Sequence, residues 1–92
     1  AHLRFADNEN GTKLKGPFEI VSATGTFGMD QAHIHVSISD ARGQTLGGHL
    51  LEGSEIYTTI ELVIGDLSRD WQFDRQLCNQ TNFLEFVPIE IP

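Results

Sequence analysis

With one cysteine, Cys78, the chain cannot close an intrachain disulfide, so its stability must come from apolar burial and backbone pairing. Cations are scarce as well. Lys plus Arg number 6 against 13 Asp plus Glu, a formal net charge of −7, and the chain's own field disfavours a phosphate backbone as partner. Nucleic-acid binding by this segment alone is therefore not expected. No apolar run approaches the ~20 residues needed to cross a bilayer, and the opening from Ala1 to Asp7 lacks the apolar core of a signal peptide. Together with the lone thiol, this favours a cytoplasmic setting without a membrane partner. Repeats, low-complexity stretches and linkers are also missing, so residues 1–92 read as a single domain. Around Cys78 only Arg75 offers a nearby activating charge, which points to an inert or partly buried thiol.

What is present is an ordinary globular composition, 39% apolar with dispersed charge, and a packed core is expected. A chain of this length buries only about 60–65% of its unfolded surface, so partner subunits would help it. Residues Ala32 to Ser39 alternate strictly: Ala32, Ile34, Val36 and Ile38 point one way, and His33, His35, Ser37 and Ser39 the other. A strand is predicted there. Asp40-Ala41-Arg42-Gly43 then has the form of a type I turn closed by a glycine at positive φ, so Gln44 to Leu51 should return antiparallel. Asp7 to Gly16 reads as a solvent loop or hairpin tip, and from Phe18 a further strand has Phe18, Ile20, Ser22 and Thr24 on one face, with both faces partly covered. Glu55 to Ile64, rich in β-branched residues, predicts an interior strand. Gly65 to Asp70 suggests a turn or one helical turn, followed by shorter extended segments at Trp71 to Asp74 and Phe83 to Ile89.

The chemistry-bearing feature is histidine. His33 and His35 project from one strand face, roughly 7 Å apart along the strand, a spacing that suits two ligands of one ion. Pairing Ser39 with Gln44 would turn His49 to the wrong face, so a bulge at Gly47-Gly48 is expected to bring it round. Three imidazoles would leave one tetrahedral position for water or substrate, as in open zinc sites, and iron, copper and nickel suit imidazole too. The same pattern also fits a polar face bonded to serines, or a subunit interface, and spacing alone leaves these readings open. Glu61, on the neighbouring run, is the one candidate for a group that orients a histidine or acts as a general base, although an exposed charge on a sheet face explains it as well. His2, near the terminus, should be solvated.

Three ordered blocks carry a family resemblance: Gly16-Pro17-Phe18-Glu19-Ile20-Val21-Ser22-Ala23-Thr24-Gly25-Thr26, His33-Ile34-His35-Val36-Ser37-Ile38-Ser39-Asp40, and Gly47-Gly48-His49-Leu50-Leu51-Glu52-Gly53. They resemble the plant and prokaryote conserved (PPC) domain, which occurs alone in prokaryotes and behind AT-hooks in plant nuclear proteins. The resemblance runs from about Leu3 to Ile64 and implies an α+β fold, a mixed, mostly antiparallel sheet with few helices, assembled as a homotrimer. For prokaryotic members it also implies a divalent transition metal, zinc first, held by His33, His35 and His49. Members of the family usually carry a strand, helix and strand ahead of the Leu3-Arg4-Phe5 block, so roughly the first third of a usual domain is not in this sequence. Three functions arise as expectations: a trimeric metal-binding module with or without an activity, a DNA-binding or regulatory protein as the family is often labelled, and an interaction domain without metal. No AT-hook or basic stripe supports the second, and the third would use residues such as Phe83, Phe86 and Val87 as an interface.

Overall fold

The alternation at residues 32–39 folds as its period demands. A computed structural model describes residues 1–29, 31–81 and 83–91. Its strands are β1 (His2–Arg4), β2 (Thr12–Lys13), β3 (Glu19–Phe27), β4 (Ala32–Ser39), β5 (Thr45–Leu50), β6 (Trp71–Leu77) and β7 (Leu84–Glu90). The first five form one sheet in the order β2-β1-β5-β4-β3, and the last two form a hairpin. By their internal contacts residues fall into two units, Ala1–Gly25 with His33–Glu61, and Thr26–Ala32 with Leu62–Pro92.

One face of the five-stranded sheet holds the core. Leu3 is completely buried and packs with Val36 and Ile38, flanked by Phe5, Leu14, Phe18, Ile34 and Leu50. Full burial of a leucine contributes about 1.5–3 kcal/mol, which ties the short β1 to the centre of the sheet. The opposite face of β4 carries His33, His35, Ser37 and Ser39, so the sequence alternation translates directly into a dry face and a polar one.

The β4–β5 hairpin closes with a different count from the one the sequence suggests. Asp40 N donates to Gln44 O (2.9 Å), and the three residues between them form the loop, with Gly43 at φ 80°. The Asp40 carboxylate accepts from the amides of Arg42 and Gln44, each at 2.9 Å, and fixes this turn. Ser39 therefore faces Thr45 rather than Gln44, and the register runs unbroken through Gly47 and Gly48 to His35 opposite His49. The expected bulge is not needed: moving the turn by one residue already turns His49 to the polar face.

Three other expectations are corrected. No helix occurs among the described residues, so the few helices implied by the resemblance are not found, and the pairings of β1 with β2 and β5, β4 with β5, and β6 with β7 are all antiparallel. Residues 55–64 form no strand. β-Branched residues favour a strand only when a ladder partner is present, and none among the described residues pairs with this run. Ile60 is half-buried, and its other apolar side chains stand in solvent, Val63 completely. Both faces of β3 are also open, with Ile20 and Val21 at least half exposed, and as an edge strand it has a neighbour on one side only.

In the second unit, β6 and β7 extend further than the sequence suggests, Trp71 pairing with Glu90 and Leu77 with Leu84. Phe73 and Phe86 meet edge to face at 5.1 Å, and the Arg75 guanidinium lies 5.5 Å from the Phe86 ring centre. The segment before β6 is a turn, as expected, with Trp71 N donating to Leu67 O (2.8 Å).

Candidate metal centre

Backbone pairing builds the site before any ion is considered. His35 and His49 are direct cross-strand partners, whose Cβ atoms in such a pair lie about 4.5–5.5 Å apart, and His33 is the next residue along on the same face of β4. The glycines preceding His49 let its strand fit between two neighbours. A Cβ on Gly47 would sit 2.9 Å from the Val36 carbonyl oxygen, and one on Gly48 would sit 2.8 Å from that of Arg4. Thus Gly-Gly-His is a close-approach segment that delivers an imidazole, and strand spacing rather than a bulge explains its glycines.

The three rings converge. His33 Nε2 and His35 Nε2 are 3.1 Å apart, and ligand nitrogens of all three histidines lie within 4.8 Å of one another. Two nitrogens bound to a tetrahedral zinc at 2.0–2.1 Å are about 3.3 Å apart, and rings radiating from such an ion would have centres about 5.2 Å apart. The observed ring centres are separated by 5.0, 4.7 and 5.4 Å, with interplanar angles of 43°, 71° and 85°. This donor set fits a zinc-sized ion with small adjustments, and three neutral nitrogens also suit other borderline divalent metals. His33 and His49 are half-buried and His35 is exposed, so the cluster opens to solvent on one side.

Hydroxyls border it. Ser22 and Ser37 are hydrogen-bonded at 2.7 Å across β3 and β4, one step along the face from His35. Gly47, opposite Ser37, adds no side chain and leaves that flank open.

The other sequence candidates are placed elsewhere. Glu61 is exposed, lies on the unpaired run and is not among the groups that converge with the histidines. His2 is not solvated as expected: it is half-buried, its Nδ1 donates to the Glu52 carbonyl (2.7 Å), and its amide donates to Ser54 Oγ (3.0 Å). It fastens the Glu52–Ser54 turn to β1. Cys78 is half-buried, and its thiol is held below its ordinary pKa chiefly by the Thr81 and Gln80 amides, with the Thr81 hydroxyl adding to this against burial and the Glu85 charge. These donors come after the cysteine in a turn, a signal that a search for neighbouring cations passes over.

A family model described as the Plants and Prokaryotes Conserved (PCC) domain matches residues 1–68. Two curated relatives, each named "Bifunctional protein GlmU" and each from a Synechococcus strain, are 44% and 41% identical over 85 residues, 92% of this chain. The chain spans only 13% and 14% of their lengths. A solved structure of a hypothetical protein from Salmonella cholerae-suis superposes with a TM-score of 0.91 at 39% identity, covering 97% of this chain and 64% of that one.

Proposed function

Since the chain belongs to the Plants and Prokaryotes Conserved domain family, we propose that it is a cytoplasmic homotrimeric module that binds a divalent transition metal, zinc foremost, through His33, His35 and His49. The observation that carries this reading is the convergence of three imidazoles from two paired strands at the separations a tetrahedral ion requires. A bound ion would supply Lewis acidity to an oxygen or nitrogen donor arriving from the open side. The chain's own part is to hold three rings in register on a stiff sheet, with Gly47 and Gly48 keeping the strands close.

Trimer formation is supported by the apolar surface of the single chain: Ile20, Val21 and Phe27 on the edge strand, and Ile56, Tyr57, Leu62, Val63 and Ile64 later in the sequence, all more than one-third exposed. No helix among the described residues is long and apolar enough to cross a membrane. The occurrence of a similar stretch inside far longer proteins named as bifunctional supports reading the domain as a module that can form part of a larger chain. Direct DNA binding is opposed by the net charge of −7.

The test is His35→Ala, assayed for metal content after dialysis and for mass by light scattering. Metal retention should fall below about a tenth of wild type while the trimer persists. Unchanged metal content would refute the site. An apo wild-type protein that is still trimeric would turn the histidines into an interaction surface.

A further inference from the structure

The polar face of the sheet is cationic in a chain that is strongly anionic. Arg4 is the direct partner of His49 across β1 and β5, so it stands on the same face as the three histidines, on the side away from His35. It is exposed, and its position is fixed by the close approach of its carbonyl oxygen to Gly48 and by the buried Leu3 before it. On the same face, His2 pairs with Lys13. Following the register across the sheet, the strand positions of this face are Lys13, His2, Arg4, the histidines with Thr45 and Gly47, then Ser37 and Ser39, and on β3 Ile20, Ser22 and Thr24, set by the Ser22–Ser37 contact. None is acidic, although the chain has 13 Asp plus Glu. An arginine paired by register with one of three clustered histidines, with hydroxyl residues beyond them and no acidic residue among these positions, is suited to an oxyanion.

Resting on the metal reading above, we propose that Arg4 forms an anion subsite of the histidine centre, so that the site takes small oxyanions, a carboxylate or phosphate group, rather than neutral donors. Arg4 acts here as a specificity residue. It binds the anion's outer oxygens through its fork of N–H donors and takes no part in holding the metal, since all three ligands come from β4 and β5. The serine and threonine hydroxyls on the other side accept or donate as the anion's shape requires.

The test uses the full chain loaded with Co²⁺, whose visible bands report on whatever joins the three imidazoles. Oxalate, inorganic phosphate and imidazole are titrated separately into wild type, Arg4→Ala and Arg4→Gln. Both substitutions should leave Co²⁺ uptake and the imidazole titration unchanged, and raise the half-saturating concentration of oxalate or of phosphate by roughly tenfold, as expected for loss of a charge-assisted contact. The oxyanion that responds identifies the group recognised. Oxyanion titrations indistinguishable from wild type in both variants would overturn the subsite while leaving the metal centre standing, as would an equal loss of imidazole binding. Failure of wild-type protein to take up Co²⁺ would instead sink the metal reading and this proposal with it.

Discussion

Cys78 shows how much a single side chain's chemistry depends on the backbone of the next turn. The Thr81 and Gln80 amides, with help from the Thr81 hydroxyl, stabilise the thiolate and lower the thiol's pKa. More thiolate is then present at neutral pH than on an ordinary cysteine, so alkylation by iodoacetamide should reach half its limiting rate at a lower pH than in an unstructured peptide. Thr81→Ala, which removes the hydroxyl and keeps both backbone amides, should move that midpoint only part of the way up; a midpoint at the ordinary thiol value in the wild type would contradict the contact geometry. Charges near Cys78 are all that a sequence displays, and by that measure the thiol is inert or partly buried; it is half-buried, and the lowered pKa is what the charges do not announce. The histidines were more legible, because His33 and His35 share a strand whose period is unambiguous and because the Gly-Gly-His block resembles that of a known family. Where spacing reasoning failed was His2, which has a specific backbone acceptor 50 residues away that no local pattern announces.

At the scale of elements, the hairpin from Ala32 to Leu50 decides whether the site exists. Its strands arise from alternation, yet its register is set at the turn, where the Asp40 carboxylate captures two amides and the return strand starts one residue later than Gln44. A one-residue error there exchanges the faces of the whole return strand, so the sequence reading needed a bulge that the molecule does without. Gly48 provides the sharpest test of this geometry. In Gly48→Ala the new methyl would meet the Arg4 carbonyl oxygen at 2.8 Å and Leu3 Cβ at 3.5 Å, forcing β1 away from β5. We expect a loss of about 1–3 kcal/mol in urea unfolding of the metal-free protein, with weakened metal retention through the displaced His49. Full stability and full metal affinity in this variant would show that the strands are not so tightly held. The run from Glu55 to Ile64 teaches the opposite lesson. Its composition is that of a strand, but pairing is a property of two segments, and with no partner in the sheet its propensity finds no ladder.

For the whole molecule, the balance between burial and exposure is the informative quantity. Only Leu3, Val36 and Ile38 among the described residues form the buried apolar core, whereas large side chains such as Met29, Tyr57, Val63 and Phe83 are mostly exposed. A chain of 92 residues with so small a core gains by covering apolar surface with further protein, which is why assembly belongs to the functional reading. The fold class was legible in the sequence as far as its antiparallel sheet; its extent was not, because edge strands and unpaired runs depend on what lies beside them. Net charge was legible throughout, but its distribution was not. Only the register shows that none of the paired strand positions on the histidine-bearing face is acidic.

The central claim is that three imidazoles of this face hold one ion. Its most direct test is an anomalous difference map from crystals of protein purified without chelators, recorded on both sides of the zinc absorption edge. One peak per chain is expected about 2.0–2.1 Å from a ring nitrogen of each of His33, His35 and His49. Ordered imidazole rings with no anomalous peak between them, in crystals grown with zinc present, would contradict it.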